Sequence, residues 1–482
     1  MIQETNILFI IADDASHFGC YGHSFVKTPN IDSLAKNGLL FNNMFTTNPK
    51  CAPSRASILS GKHTWQLGEA CNHQCYFPGK EELKLYPEIL EENGVHVGFT
   101  GKGWGPGDYT TKGRTNNPAG KEYNKNTLTP PNNSNVSNKD YPANFIDFLN
   151  AKSDSQPFCF WFGAHEPHRK YTPKQGLLNG KSMDEISEVP PYWPDHEIVR
   201  SDMLDYAFEI EWFDTQVGLM VDELECRGEL ENTLIMVTSD NGCPFPRVKG
   251  QMFDDDFRLP FVAHWPNKFE GGNEIDSLCS FVDLLPTFYE IYNIPIPSEL
   301  PGSSLLEIFS ASESKKNDRS RAYMGRERHD YGREDDLGYP VRCIRTPEFL
   351  LCVNYEPNRW PAGNPETGFT NCDSSPTKDL ILDLQKKGHS SYFDQAFAKR
   401  PKFQLFDIKE DPYCMSNLSE NENFKDLQSH LLSELNAYLK ETKDPRFLEN
   451  KDIFEQYKLP QDDLAKHSWS SFIQGTFQPQ KY

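Results

Sequence analysis

Residues 6–12 (NILFIIA) form a short, almost unbroken apolar run, the pattern of a strand buried on both faces. Similar runs recur at residues 39–45, 95–100, 157–162, 233–238 and 259–265. Helical patterns lie between them. Thr28-Pro29-Asn30 opens a helix that stops at Gly38, and residues 87–93 predict a short one. Met203, Ala207, Ile210, Val217, Val221 and Leu224 fall at 3.6-residue spacing and predict a long amphipathic helix over residues 200–228. Residues 280–292 read as a helix broken by Pro286. Strand and helix alternate as far as about residue 300, which predicts an α/β fold with a large, mostly parallel sheet flanked by helices. Residues 109–140, rich in Asn, Pro, Thr and Lys, read as a long loop.

Beyond Ser310 the pattern changes. Residues 339–355 suggest two shorter strands, residues 403–413 another strand and turn, and residues 424–440 a helix. This predicts a smaller α+β C-terminal subdomain with a short antiparallel sheet. The expected division is a catalytic domain over 1–320 and a subdomain over 321–482 that completes the substrate pocket.

Polar groups collect where the apolar runs end: Asp13-Asp14, Lys102 in a Gly-rich turn, His165 and His168-Arg169, and Asp240-Asn241. In α/β sheets this edge is where sites are built. Between two elements lies Cys51-Ala52-Pro53-Ser54-Arg55. Pro53 suits a first helical turn, residues 54–59 continue it and Gly61 ends it. Cys51 is then at a helix start that favours an anion, with Arg55 one turn on, an arrangement suited to chemistry on a tetrahedral oxyanion. Three carboxylates and an amide oxygen are hard ligands, fitting Ca²⁺ or Mg²⁺ rather than zinc.

Charge sharpens this. Over 482 residues, 49 Lys and Arg face 70 Asp and Glu, a net charge of −21. That field repels nucleic acid and anionic membranes, so neither is an expected partner, and an anionic substrate needs a local cluster of bases. The candidates are His168, Arg169, Arg326, Arg328, His329, Arg342 and Arg359, with Trp360 as a stacking surface beside Asn358. No run reaches the ~20 apolar residues of a membrane span. The twelve cysteines show no paired C-x-x-C array; Cys71 and Cys75 stand close without a partner pair, which argues against zinc. Residues 6–12 lack a basic flank and precede acids, so they read as a strand and not a signal segment. The protein then either stays in the cell or is numbered as a mature form.

The Cys-x-Pro-Ser-Arg pattern resembles the signature of the type I, formylglycine-dependent sulfatases. The order Asp13-Asp14, Cys51 to Arg55, Gly101-Lys102, His165-x-Pro-His168 and Ser239-Asp240-Asn241-Gly242 is similar to that family across nearly the whole chain, and FQLFDIKEDP resembles its C-terminal strand. AHEPHR, SDNGCPFP and YPVRCIR look closest to its N-sulfoglucosamine sulfohydrolase branch and the bacterial relatives of that branch. The resemblance implies an alkaline-phosphatase-like fold. It implies that a maturation enzyme converts Cys51 to formylglycine, whose hydrate attacks sulfur. Asp13, Asp14, Asp240 and Asn241 would bind calcium, or magnesium, with residue 51. Arg55 and Lys102 would stabilise hydrate and sulfate, Lys249 would contact the sulfate, and His165 would protonate the leaving group. The implied substrate is a sulfated polysaccharide or its oligosaccharides, with N-sulfated sugars as the alternative, and the implied location is periplasmic or secreted. A phosphoesterase and a non-catalytic glycan binder are the competing classes. One position departs from the pattern: family members carry Lys-x-His where this chain has Lys102-Gly103-Trp104. Trp104 cannot accept a proton, so His73 or His168 is expected to replace the missing imidazole.

Overall fold

The computed structural model describes residues 5–310, 319–448, 451–457 and 465–479. The central sheet comprises β1 (Asn6–Ala12), β2 (Leu39–Phe45), β3 (His96–Gly101), β4 (Phe158–Gly163), β5 (Thr233–Ser239), β6 (Arg258–His264), β7 (Asn273–Ile275) and β8 (Cys279–Ser280). Its order is β8-β2-β6-β5-β1-β4-β3, with β7 also on β2. It is mostly parallel; β6 runs antiparallel to both β5 and β2. The alternation of β1 explains its apolar run: Ile7, Phe9 and Ile11 enter one core, while Leu8, Ile10 and Ala12 enter the other.

Helices cover both faces. On one side lie α1 (Pro29–Lys36) and the long α3 (Glu197–Cys226), which contributes Leu204, Ile210, Phe213 and Val217 to the core. On the other lie α2 (Cys51–Ser60) and α4 (Leu284–Ile291), through Ala52, Ile58, Leu59, Leu285 and Phe288. Pro286 does not break its helix. It is the third residue of α4, in the first turn, where no backbone donor is needed.

A second, antiparallel sheet joins β9 (Ala322–Arg326), β10 (Val341–Arg345), β11 (Phe349–Asn354) and β12 (Phe403–Asp407) in sequence order. One face packs on Phe45, Met252 and Phe257 through Met324, Val341 and Leu350. The other carries α5 (Lys425–Glu441) through Leu431, Leu435 and Leu439. No helix among the described residues is long and apolar enough to cross a membrane.

Candidate functional site

The C-terminal ends of β1, β5, β4 and β3 meet the start of α2. All ten residues of α2 are buried, so the helix is set by packing on every side. Cys51 is its first residue and no side chain caps the start, which leaves first-turn N–H groups aimed at the site. Pro53, third in the helix, gives up no bond there. Gly61 closes the helix at φ 65°.

Two adjacent parallel strands deliver the acids, with Ala12 opposite Ser239. Asp14 adopts φ 78°, a costly conformation for a residue with a side chain. Its N–H donates to Asp240 Oδ1 at 3.1 Å, which compensates. Ligand atoms of Asp13, Asp14, Cys51 and Asp240 all lie within 4.8 Å of one another. Asn241 donates its amide to Asp14 Oδ1 at 2.8 Å, and its own side-chain oxygen is buried without a partner. Asp13 Oδ1 is likewise buried and without a hydrogen bond.

Three cations brace this cluster. Arg55 Nε donates to Asp240 Oδ2 at 2.7 Å, its Nη1 to the carbonyls of Lys102 and Gly103, and its Nη2 has no hydrogen-bond partner. Lys102 Nζ is 2.6 Å from Asp13 Oδ2. Its placement needs two glycines. A Cβ on Gly101 would stand 2.0 Å from the Gly163 carbonyl, and one on Gly163 would stand 1.8 Å from the Lys102 carbonyl. Lys249 Nζ bridges Asp14 Oδ2 at 2.6 Å and Asp373 Oδ2 at 2.9 Å.

The charges do not settle evenly. Burial alone would raise the Asp13 carboxyl, but Lys102, His168 and Arg55 overcome it and hold it well below the usual carboxylate range. Asp240 is pushed up to about 7, by burial first and by the Asp13 charge, against the pull of Arg55. Burial and then the Asp13 charge push the Cys51 thiol well above its ordinary value, so at neutral pH it is not a thiolate. These crowded acids with two orphaned oxygens fit a hard divalent cation.

The turn after β4 is fixed by Glu166. Its buried carboxylate accepts from Ser137 N at 2.7 Å and Tyr141 OH at 2.9 Å, and the same hydroxyl accepts from His165 N. His165 is exposed. Its neighbouring protein atoms first, then Lys102 and Arg55 against Asp13, press its imidazole down to about 4. His168 donates from Nδ1 to the Arg169 carbonyl at 2.5 Å, which leaves Nε2 3.9 Å from Asp14 Oδ2. A ring nitrogen of His168 also lies within 4.8 Å of Cys51 Sγ and an Asp13 oxygen.

Trp104 is buried behind α2, its Nε1 donating to the Ala52 carbonyl at 3.0 Å and its ring edge-on to Phe77. It braces α2, the helix that begins at Cys51. His73 is also buried. Its Nδ1 lies 2.9 Å from Asp330 Oδ1, whose other oxygen takes Lys50 Nζ at 2.8 Å. Burial, against Asp330, lowers the His73 imidazole to about 4.

The expected substrate contacts divide. His168 joins the site. Arg169 forms a two-pronged pair with Asp202, at 2.7 and 2.9 Å, behind it. His329 is buried with Nε2 3.0 Å from Asn48 Oδ1. Arg326 is fully buried, binding the Gly250 and Pro361 carbonyls. Arg342 is buried too, and all five N–H groups are engaged by Asp444, Glu327 and the carbonyls of Arg326 and Val341. Assigning Arg326 and Arg342 to the substrate is therefore corrected: Arg326 on β9 and Arg342 on β10 both turn into the protein. Arg328 binds the Tyr457 carbonyl. Arg359 pairs with Glu455 and the Gly338 carbonyl, and Trp360 packs edge-on to Phe369 at 5.9 Å.

The sequence reading misses Asp373, Lys50 and Asp330. Lys50, next to Cys51, carried a signal that could have found it; Asp373 sits in a turn (TNCDSSP) with no periodic context, and only the fold brings it to Lys249.

Comparison with known proteins agrees with this geometry. The family model described as Sulfatase matches residues 5–294, and the one described as N-sulphoglucosamine sulphohydrolase, C-terminal, matches residues 248–361. The human N-sulphoglucosamine sulphohydrolase is 28% identical over 95% of this chain and 94% of its own. An ulvan-active sulfatase of Formosa agariphila is 26% identical over 97% of this chain and 78% of its own. Among solved structures, one described in complex with its substrate D-glucosamine-2-N,6-O-disulfate superposes with a TM-score of 0.62 at 19% identity, covering 91% of this chain and 98% of that one. The match over residues 5–294, with Cys51 and the acid cluster inside it, places this chain in the sulfatase family, enzymes that hydrolyse sulfate esters.

Proposed function

We propose that the chain removes sulfate from a sulfated polysaccharide or its oligosaccharides. It would use formylglycine made from Cys51 and one hard cation, calcium first and magnesium second, held by Asp13, Asp14, Asp240, Asn241 and residue 51. The observation that carries the reading is the pair of buried oxygens without donors, Asp13 Oδ1 and Asn241 Oδ1, in a cluster that already contains Cys51. When present, the hydrated aldehyde supplies an oxygen nucleophile that a neutral thiol is not, and the cation supplies Lewis-acid charge neutralisation.

The chain's own residues do the rest. Arg55, fixed by three bonds, keeps Nη2 free of any hydrogen bond, 3.7 Å from Asp13 Oδ1, and would offer it to a sulfate oxygen. Lys102, held by Asp13, and Lys249, held by Asp14, would contact the sulfate. His165, exposed at the mouth, delivers the proton to the leaving oxygen. An arriving sulfate adds negative charge beside its imidazole and favours the protonated form. His168, with Nε2 toward the acids and Cys51, supplies the imidazole absent at Trp104. Residues 1–320 carry this chemistry, and residues 321–482 complete the pocket around it. Action on polymeric glycans fits a periplasmic or secreted enzyme matured by a formylglycine-generating partner.

A second reading, hydrolysis of N-sulfoglucosamine, is supported by the match over residues 248–361 and by the human relative. The deciding experiment measures sulfate release from N-sulfoglucosamine and from O-sulfated glycan fragments, using protein whose conversion at residue 51 is verified by mass. Release from O-sulfated fragments supports the first reading, release from the N-sulfated sugar alone supports the second, and release from neither sinks both.

A further inference from the structure

The antiparallel sheet carries two thiols that take no part in the chemistry at Cys51. Cys343 on β10 and Cys352 on β11 stand directly opposite each other in the register of the two strands. Opposite residues of an antiparallel pair have Cα atoms about 4.5 or 5.5 Å apart, according to whether they exchange hydrogen bonds. Both separations lie inside the window that a disulfide spans, about 4.4–6.8 Å. The side chains meet as well, with Cys343 Sγ 3.1 Å from Cys352 Sγ. Closing an S–S bond of about 2.05 Å from there takes a sulfur shift of about 1 Å.

The turn that joins the strands fixes this register locally. Only residues 346–348 separate β10 from β11. Thr346 N donates to the Phe349 carbonyl at 2.8 Å, and Thr346 Oγ1 accepts from Phe349 N at 2.9 Å. The cysteines are nine residues apart in sequence, so a single hairpin brings them together without help from the rest of the chain.

In the folded protein the pair is sealed. Cys343 is 0% exposed and Cys352 1%, in a core with Phe45, Met252 and Phe406. Cys352 donates its S–H to the Met252 carbonyl at 3.1 Å. Burial first, and then the hydrogen bond with Cys343, raises the Cys352 thiol well above its ordinary value. A thiol that neither ionises nor meets solvent does not exchange with an outside disulfide. Oxidation of this pair therefore belongs to folding, when the hairpin exists and the core is still open. Cys414 shares the core but lies outside the strands, which makes it the internal competitor.

We propose that Cys343 and Cys352 form a disulfide during folding in an oxidising compartment, and that this bond clamps β10 to β11. Each thiol gives up its hydrogen and one S–S bond forms between them. The disulfide of an exchange partner, oxidised glutathione or an oxidase protein, breaks in return and takes up the two electrons and two protons as two thiols. The periplasmic or secreted location proposed above supplies such a partner. The pairing itself is independent of the reaction assigned to Cys51. The clamp adjoins Arg342, so it fixes the strand that carries the buried ion pairs with Asp444 and Glu327.

The test folds the full chain from denaturant in oxidised and reduced glutathione, blocks the remaining thiols with iodoacetamide, and maps non-reduced peptides by mass. The expected product joins residues 343 and 352 and is lighter by two hydrogens than the separate thiols. Protein folded in reductant and then given oxidised glutathione is expected to lack the link, while the exposed Cys226 reacts. The link is expected to lower the unfolding equilibrium constant by about a hundredfold for a closed loop of this length, read as a higher urea midpoint than that of the reduced protein. Cys343→Ala should abolish that rise and Cys226→Ala should keep it. Protein exported to a bacterial periplasm and alkylated on harvest gives the same peptide map without refolding. Both thiols alkylated after oxidative folding, or either one joined to Cys414, overturns the proposal. A link that forms in glutathione but is absent from protein isolated from the cells that make it supports the pair and overturns the periplasmic or secreted location instead.

Discussion

Two buried charge clusters in this molecule look alike in composition and differ in completeness. Around Arg342, two arginines meet two carboxylates: Arg342 binds Asp444 and Glu327, and Arg446 binds Glu327 from its other side. None of these four side chains has a buried polar atom without a partner. Around Cys51, Asp13, Asp14 and Asp240 meet Arg55, Lys102 and Lys249, and the balance of formal charge is also even. Here, however, Asp13 Oδ1, Asn241 Oδ1 and Arg55 Nη2 are buried without a hydrogen bond, Arg55 Nη2 reaching Asp13 Oδ1 only as an ion pair at 3.7 Å. Leaving such groups unpaired costs roughly 1–3 kcal/mol each, which a structural cluster avoids and a binding site keeps for its ligand. Completeness of hydrogen bonding, more than the presence of charge, separates a brace from a site.

The largest separation of the two clusters comes from their own key residues. Cys51→Ala is expected to lower sulfate release by a factor on the order of 10⁵, as removing a nucleophile does, while shifting stability by less than about 1 kcal/mol. Arg342→Ala is expected to do the reverse. It strands Asp444 without solvent and leaves Glu327 to Arg446 alone, and should cost about 3–5 kcal/mol in urea denaturation, with activity per folded molecule retained. Loss of activity without loss of stability in the Arg342 variant would return that residue to the substrate.

Ligand addition is the next test. Calcium at about a hundred times its dissociation constant should stabilise wild type by about 2.7 kcal/mol in thermal denaturation. The Arg342 cluster, already complete, offers calcium nothing. Asp13→Asn should abolish the stabilisation while Glu327→Gln leaves it intact.

How much of this was legible in sequence follows the same division. The strand ends were readable, because a buried parallel strand must be apolar and Asp13-Asp14 and Asp240-Asn241 break that run abruptly. The helix start at Cys51 was readable from Pro53 and Gly61. The arginines of YPVRCIR and GRERHD were not. An arginine on a strand looks exposed until its partners, Asp444 over a hundred residues later for Arg342, are known. Nor does anything in the C-terminal stretch announce that Lys466, His467 and Phe477 border a cleft with His168.

A smaller effect concerns pH. Asp240 titrates at about 7 in the folded protein against roughly 3.9 unfolded. Between those values the native state holds an extra proton, so cation-free stability falls as pH rises from about 4 to 7. Asp240→Asn should remove this fall, and the variant should gain on wild type by about 3 kcal/mol across that window in chelator-treated denaturation. Calcium should erase the difference in slope by favouring the ionised carboxylate. A gap that stays constant from pH 4 to 7 would mean that the acids are not in conflict.

The smallest effect is expected at Arg359, which belongs to neither cluster. It is half-buried and pairs with Glu455, also half-buried, so the screened pair should contribute less than about 1 kcal/mol. Arg359→Ala should therefore change sulfate release less than twofold or so and lower the denaturation midpoint only slightly. The distinction drawn from completeness predicts this near-silence: the side chain neither completes a buried network nor stands unmatched beside the nucleophile. A rise in KM of tenfold or more on a sulfated saccharide, with stability unchanged, would show that the pocket extends to the loop of Arg359 and Trp360, and that an engaged arginine at an opening can exchange its carboxylate for substrate in a way that the fully enclosed Arg342 cannot.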